Sequence, residues 1–264
     1  MLVRLETLDL PALDAYRDLA RPDRLAARGL FVAEGRLVVE RLVGLPHLSL
    51  QSLLLTPAAR AAMTEVLARL PSEVPVYVAD QPLMNDVAGF NIHRGCLGLA
   101  ARPAARPWPP PDLARWRRAL VLEGVNNPDN VGGLFRAAAA LGVTAVVLGP
   151  HCGDPLYRKA IRTSMAATLS LPFVTAPHWP NALDELRRAG LPVVACTPAD
   201  SAPSLYDVGL PPRAAVLVGA EGAGLSAAAL AAADLQVRIP MHGGLDSLNV
   251  TTAAAIVLSA LDRG

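Results

Sequence analysis

Short apolar segments alternate with stretches of helical periodicity from Arg118 almost to the end of the chain. Six of these segments are predicted strands, at residues 119–122, 145–148, 171–174, 192–196, 214–218 and 236–239. The helices that follow them are predicted to begin near Asn130, Leu156, Asn181, Ser226 and Ser247. This pattern predicts an α/β fold with a mostly parallel sheet that is covered on both faces. In such sheets ligands bind beyond the carboxyl ends of the strands.

A smaller α/β unit is predicted for residues 1–101. Its strands are expected at residues 50–55, 74–78 and 95–100, and its helices at residues 11–19, 57–70 and 82–87. In FVAEGRLVVERL, residues 31–42, the spacing of Val32, Leu37 or Val38, and Leu42 is approximately helical. Residues 102–117 form a proline-rich linker, and residues 118–264 form the second domain. Trp108 in the linker either packs on a domain or stacks on a base.

Composition restricts the classes of function. No run approaches about 18 uninterrupted apolar residues, so no membrane span is expected. Glu6 and Asp9 stand where a signal peptide would be apolar, which predicts a cytoplasmic protein. The cysteines form no CxxC pair and the histidines no HExxH motif, so neither a disulfide framework nor a metal site is expected.

The cationic residues are unusual in kind rather than in number. The net charge is only +1, and Lys159 is the one lysine of the sequence, all other cations being arginine. Arginine binds phosphates with two parallel hydrogen bonds and stacks on bases, so this bias is compatible with RNA contact. A GC-rich genome produces the same bias. Composition therefore leaves the partner open.

Three loops carry unusual polar residues, and the first is LEGVNNPDNVGGLFRAAAALG, residues 122–142. Asp129 is predicted to cap its helix. The apolar residues at helical spacing form one buried stripe, namely Val131, Leu134, Phe135, Ala138 and Leu141. Arg136 lies off that stripe, so it is either a solvated arginine or a functional one.

The second loop is LVGAEGAGLS, residues 217–226, where a strand, a glycine-rich turn and a helix follow one another. Ser226 is predicted to cap the helix. Glu221 lies inside the turn and can reach a ligand or an arginine. The spacing of Gly222, Gly224 and Ala227 also fits a dinucleotide-binding fingerprint. That interpretation is disfavoured, because the turn lies near the end of the chain and no acidic residue follows the next strand.

The third loop begins IPMHGGLDSLNV, from Ile239, and continues into an apolar helix that reaches Leu261. Pro240 ends the strand, and Gly243 and Gly244 allow a tight turn. Asp246 or Ser247 is predicted to cap the helix, whose buried stripe is Val250, Ala254, Val257 and Leu261. Ser247 and Asn249 lie at the helix N-terminus, where unpaired amides point outward. A binding site is predicted here.

Taken together, NNPDNVGGLFRAAAALG, LVGAEGAGLS and IPMHGGLDSLNVTTAAA resemble motifs 1, 2 and 3 of the SpoU, or TrmH-like, RNA 2′-O-ribose methyltransferases of the SPOUT superfamily. Their order and spacing agree over about residues 119–261. The segment FVAEGRLVVE resembles the N-terminal RNA substrate-binding domain of this family, a small α/β ribosomal-protein-like fold. The resemblance implies a C-terminal parallel-sheet SPOUT domain with a deep trefoil knot, an S-adenosyl-L-methionine site, and a homodimer with sites at its interface.

The resemblance also assigns roles to individual residues. The catalytic and RNA-side positions are Arg136, Asn130, Glu221, Ser247 and Asn249. The cofactor-binding positions are Thr197, Gly219, Ile239, Met241 and Leu248. Two departures from the family pattern are small: Thr251 replaces a common serine, and Ala137 replaces a common threonine or serine.

The resemblance predicts ribosomal RNA as the substrate, with transfer RNA as the alternative. A non-catalytic RNA-binding protein on the same fold is a third hypothesis, and the presence of Arg136, Glu221 and Asn249 argues against it.

Overall fold

The computed structural model describes residues 2–5, 10–92, 94–241, 243 and 245–261. Glu6, Asp9, Gly244 and the histidines His93 and His242 therefore lie outside the described residues. The chain divides into two compact units. The first unit contains Met1–Ala104 and Pro155–Ser170, and the second contains Ala105–Asp154 and Leu171–Gly264. The sequence places residues 155–170 in the second domain, whereas their contacts place them in the first unit.

The strands and helices of the first 104 residues are short. The strands are β1 (Leu2–Arg4), β2 (Leu30–Glu34), β3 (Leu50–Leu55), β4 (Val76–Val78) and β5 (Cys96–Ala101). The helices are α1 (Asp14–Arg17), α2 (Pro22–Ala27), α3 (Arg36–Val43), α4 (Pro57–Ala62), α5 (Thr64–Leu67) and α6 (Gln81–Ala88), with 3₁₀ turns at Pro11–Leu13 and Asp18–Ala20.

The rest of the chain continues the alternation. Its strands are β6 (Arg118–Glu123), β7 (Ala145–Leu148), β8 (Phe173–Thr175), β9 (Val193–Cys196), β10 (Ala214–Gly219) and β11 (Leu235–Val237). Its helices are α7 (Pro128–Ala140), α8 (Arg158–Thr163), α9 (Ala167–Ser170), α10 (Asn181–Arg188), α11 (Ala227–Ala232) and α12 (Val250–Ala260), with a 3₁₀ turn at Leu113–Arg115.

The first unit contains a five-stranded sheet in the order β1-β4-β3-β5-β2. Strand β5 runs antiparallel to β2 and β3, and the β1–β4 and β3–β4 pairs are parallel. One face is covered by a cluster of buried side chains that includes Leu13, Tyr16, Leu54, Met84 and Leu97. The predicted small α/β unit is therefore present.

Two predictions in the first unit are wrong in detail. The segment at residues 31–42 is a strand followed by a helix, because Gly35 turns the backbone at φ 99° between β2 and α3. Val38 is buried and Leu37 is 55% exposed, so Val38 belongs to the core. The single helix predicted at residues 57–70 is two short helices, separated at Met63, whose ψ of 20° departs from helical geometry.

The second unit is built on a six-stranded sheet in the order β11-β9-β10-β6-β7-β8. Every paired strand in it is parallel to its neighbour, which confirms the predicted parallel sheet. The register pairs Gly219 at the end of β10 with Glu123 at the end of β6. The carboxyl ends of the strands therefore meet at one edge. Trp108 packs against the core of this unit, so its packing role is the one observed.

Helices α7 and α12 pack closely on each other. Their predicted buried stripes are confirmed, except that Leu141 is only partly buried. At the crossing, a Cβ added to Gly133 would lie 2.8 Å from Thr251 Oγ1. Only a residue without a side chain permits this approach. The crossing brings the N-terminus of α12 beside the N-terminal half of α7.

The sequence predicts caps for three helices of the second unit. Ser226 caps α11 as expected, and its hydroxyl accepts a hydrogen bond from Ala229 N. The predicted cap Asp129 is wrong, because Asn127 caps α7 and accepts a hydrogen bond from Asp129 N. The predicted caps Asp246 and Ser247 are also wrong, because α12 begins later, at Val250, and Asn249 accepts from Thr251 N.

Within the described residues, no helix is long and apolar enough to cross a membrane. The same part of the chain holds no group of three or more His, Cys, Asp or Glu side chains that could bind a metal ion.

Candidate functional site

A cavity of about 540 Å³ opens at the carboxyl edge of the second unit's sheet. Three chain segments line it, following β9, β10 and β11 in turn. They contribute Cys196–Pro198 at the end of β9, Val218–Gly222 with Gly224 at the end of β10, and Ile239, Met241, Asp246–Val250 and Ala253 after β11. The cavity lies where an open parallel sheet is expected to bind its ligand.

The loop after β10 is held by a close approach of its own backbone. A Cβ added to Gly219 would lie 2.3 Å from the carbonyl carbon of Gly224 and 2.5 Å from Leu225 N. Gly224 N donates to Ala220 O at 3.0 Å and closes the turn. Glycine is therefore required at position 219, and the turn that it permits carries Glu221 to the rim of the cavity.

Asn249 connects the three motif loops. Its Nδ2 donates to Glu221 Oε1 at 2.7 Å and to Asn130 Oδ1 at 3.0 Å. Its Oδ1 accepts from Thr251 N at 3.0 Å as the cap of α12. All three polar hydrogen-bonding functions of this amide are used within the protein. Asn249 therefore positions Glu221 and Asn130 and has no amide hydrogen left for a ligand.

Most of the predicted site residues surround the cavity. The five predicted cofactor positions, Thr197, Gly219, Ile239, Met241 and Leu248, all line it, as do Glu221, Ser247 and Asn249. Asn130 is 8% exposed and is connected to this group by the hydrogen bond that it accepts from Asn249. Arg136 is exposed on α7 and is not among the described residues that line the cavity. The structure of one chain thus brings together every predicted site residue except Arg136.

Glu123 is a residue that sequence reasoning missed. It is 7% exposed at the end of β6. Its carboxylate accepts hydrogen bonds from Ser226 N at 2.8 Å, Ser226 Oγ at 2.7 Å and Trp179 Nε1 at 2.6 Å. These bonds fix the start of α11 directly after the loop that carries Glu221. The sequence does contain one signal for it: Glu123 is the last residue of a strand whose preceding residues 119–122 are all apolar.

The cavity is acidic. Glu221 and Asp246 line it, and no lysine or arginine is present among the lining residues that the structure describes. Burial raises the pKa of the Cys196 thiol to about 11, so this lining residue is neutral at physiological pH. The described lining therefore combines apolar walls with two carboxylates, which suits a ligand that carries positive charge.

A family model described as the SpoU rRNA Methylase family matches residues 117–259. The chain belongs to this family. The predicted resemblance is thereby confirmed, and the protein is an RNA methyltransferase of the SpoU family. The match contains all three of the loops that meet at the cavity and Asn130.

Two relatives and one solved structure show how far the similarity extends. An uncharacterized tRNA/rRNA methyltransferase of Mycobacterium bovis is 44% identical over 260 residues, covering 94% of this chain and 87% of the relative. The 23S rRNA (guanosine-2′-O-)-methyltransferase RlmB of Neisseria meningitidis is 29% identical over 207 residues, covering 77% of this chain and 82% of RlmB. The SpoU methyltransferase AviRb of Streptomyces viridochromogenes, solved in complex with the cofactor AdoMet, has the same fold, with a TM-score of 0.80 at 23% identity over 96% of this chain and 98% of AviRb.

The cofactor prediction is confirmed for the family, since SpoU methyltransferases use S-adenosylmethionine. The fold prediction is confirmed as an α/β fold with a parallel sheet that matches structures of this family.

Proposed function

We propose that this protein transfers a methyl group from S-adenosylmethionine to a ribose 2′-hydroxyl of RNA, and that ribosomal RNA is its substrate. The proposal rests mainly on one observation: Asn249 donates hydrogen bonds to both Glu221 and Asn130 at the mouth of the cavity. The similarity to RlmB, named for 2′-O-methylation of 23S rRNA, supports the choice of ribose and of ribosomal RNA.

The residues of the cavity fit the proposed cofactor. Its volume of about 540 Å³ lies in the range of small-molecule sites. Ile239, Leu248 and Val250 offer apolar walls for an adenosine, and Gly219 and the turn behind it expose backbone. Glu221 and Asp246 offset a positive charge. When bound there, S-adenosylmethionine would supply a methyl group on a cationic sulfonium.

Arg136 acts on the RNA side of the reaction in this proposal. It is exposed and lies outside the described cavity lining, and we propose that it reaches the cavity of a second copy of the chain. We therefore infer a homodimer. A guanidinium keeps its proton in proteins, so Arg136 orients the 2′-hydroxyl and the adjacent phosphate through charge-assisted hydrogen bonds rather than removing the proton.

The remaining assignments follow from the contacts. Asn130 and Glu221 are held in place by Asn249, and Ser247 lines the pocket beside Leu248. We assign Thr197, Gly219, Ile239, Met241 and Leu248 to the cofactor. The deep trefoil knot and an RNA-binding role for residues 1–101 belong to the same proposal.

The test uses the purified full-length chain, tritiated S-adenosylmethionine and unmodified transcripts of ribosomal and transfer RNA. We expect label in ribosomal RNA at a ribose 2′-oxygen. Arg136→Ala should abolish the transfer and leave cofactor affinity unchanged, whereas Arg188→Ala, at another exposed arginine of the second unit, should change neither. Loss of cofactor binding in folded Arg136→Ala contradicts its proposed role. If label appears only in transfer RNA, the proposal that ribosomal RNA is the substrate is wrong.

A further inference from the structure

Arginines gather around one buried carboxylate in the first unit. Glu34 at the end of β2 is 2% exposed. Arg158 Nη1 binds its Oε2, and Arg162 Nη1 lies 3.5 Å from the same oxygen. Both arginines come from the segment 155–170 that joins this unit. The side chain of Arg94 lies against Gly35, where an added Cβ would be 3.1 Å from its Cδ.

Arg158 is the most buried arginine of this group and packs on an aromatic ring. Its guanidinium carbon lies 4.5 Å from the centroid of the Phe90 ring, and its side chain is 16% exposed. Arg162 remains 39% exposed, and Arg36 and Arg94 are exposed residues. Glu34 thus neutralises one of four neighbouring guanidinium groups, and the surface above it carries an excess of positive charge.

In the part of the chain that the structure describes, no carboxylate pairs with Arg36 or Arg94. Arg36 also opens α3, whose preceding residue Gly35 provides no side-chain cap for the free amides. Other arginines of the unit do have carboxylate partners, for example Arg17 with Asp14 at 2.5 Å and Arg28 with Asp18 at 3.2 Å.

We propose that Arg36, Arg94 and Arg162 form a surface that contacts the phosphate backbone of the RNA substrate. This rests on the proposed function and names the part of the first unit that holds the RNA. Several guanidinium groups spread over a surface suit consecutive phosphates of one chain, because each can bind a phosphate bidentately. The buried pair of Glu34 and Arg158 fixes β2 against α8, and so holds Arg162 near Glu34, which is followed by Gly35 and Arg36.

The test measures binding of the full-length chain to protein-free 23S rRNA, transcribed in vitro, at increasing KCl concentrations. We compare wild type with the double variant Arg36→Ala, Arg94→Ala. Each phosphate contact that is lost should lower the slope of log affinity against log salt by about 0.7 to 0.9. The double variant should therefore lose about 1.4 to 1.8 from the slope.

Two control variants make the result specific. Arg17→Ala with Arg28→Ala removes the same charge from the same unit at paired arginines, and its slope should stay at the wild-type value. Arg36→Lys with Arg94→Lys keeps the charge, and its slope should return towards the wild-type value. Cofactor binding, measured in parallel, should be equal in all four proteins because none of these residues lines the described cavity.

An unchanged slope in the Arg36→Ala, Arg94→Ala variant, or an equal loss in the paired control, overturns the proposal while the proposed function stands. A wild-type chain that binds the cofactor but methylates no RNA refutes the proposed function, and this proposal with it.

Discussion

The side-chain amide of Asn249 donates to the carboxylate of Glu221 across 2.7 Å, although the two residues lie on different loops. The second hydrogen of the same amide binds Asn130 on α7. Asn249 is also the cap of α12, so its position is set by the start of a rigid helix. The contact fixes the Glu221 carboxylate at the rim of the cavity before any ligand arrives.

Asn249→Asp should disrupt this contact and keep the helix cap. The new carboxylate still accepts from Thr251 N but faces Glu221 without a hydrogen to donate. Hydrogen bonds to charged groups contribute about 1.5 to 3 kcal/mol. We therefore expect cofactor affinity to fall by about 10-fold or more, measured by isothermal titration calorimetry. The double variant Asn249→Asp, Glu221→Gln restores a donor and an acceptor, and should regain most of the affinity. No recovery would show that the contact does not position Glu221.

Glu123→Ala should destabilise the second unit strongly. The substitution leaves Ser226 N, Ser226 Oγ and Trp179 Nε1 without their acceptor in a part-buried site. Hydrogen bonds to a charged group contribute about 1.5 to 3 kcal/mol each, and water replaces part of this at the exposed Ser226, so we expect a loss of about 2 to 3 kcal/mol in unfolding free energy. Urea denaturation provides the measurement. Asp207→Ala, at an exposed carboxylate, is the matched control and should change stability by less than about 0.5 kcal/mol. An equally small loss of unfolding free energy in Glu123→Ala would show that the three hydrogen bonds to Glu123 do not stabilise the unit.

Gly133→Ala tests the crossing of α7 and α12. Replacing glycine by alanine inside a helix normally stabilises it by about 1 kcal/mol. Here the added methyl group meets Thr251 Oγ1 at 2.8 Å and Cγ2 at 3.0 Å, so we expect destabilisation instead. In the double variant Gly133→Ala, Thr251→Ala both clashing atoms are gone and the loss should be smaller than that of Gly133→Ala alone. Thermal unfolding of wild type, the two single variants and the double variant gives the coupling energy between residues 133 and 251. If the two single effects on stability simply add up in the double variant, the close packing of these residues is contradicted.

The pKa of Cys196 predicts slow alkylation at the cavity. Since burial raises it to about 11, the thiolate fraction near neutral pH is about a hundredfold below that of an unperturbed thiol. The thiolate is the reactive form, so the iodoacetamide rate at Cys196 should rise about tenfold per pH unit and level off only near pH 11. Peptide mass spectrometry separates this residue from Cys96 and Cys152. A plateau near the ordinary thiol pKa would show that the site is not buried as described.

The architecture could be predicted from the sequence because apolar periodicity is a local property. Six strands and the buried faces of α7 and α12 follow directly from it. The wrong predictions occur where a contact between residues far apart in the sequence determines the local structure. Helix α12 begins at Val250, and its cap Asn249 contacts Glu221 and Asn130, which are far from it in sequence. Asp246 and Ser247 are equally suitable caps by residue type, so the local sequence does not select Asn249.

The site was predicted through its motifs rather than through its contacts. The three loops had to be recognised together before Thr197 or Leu248 could be assigned. Glu123 was missed because its partners Ser226 and Trp179 are far along the chain. The apolar strand before it indicates burial but not which groups its carboxylate binds. The grouping of residues 155–170 with the first unit likewise depends on the Glu34–Arg158 pair, which no local pattern predicts.

The most direct test of the account is ribose-methylation mapping of total RNA from cells with and without the gene. We predict that one 2′-O-methyl site in ribosomal RNA is lost with the gene and returns with the wild-type chain but not with Arg136→Ala. Retention of every 2′-O-methyl site in ribosomal RNA would contradict the proposed function.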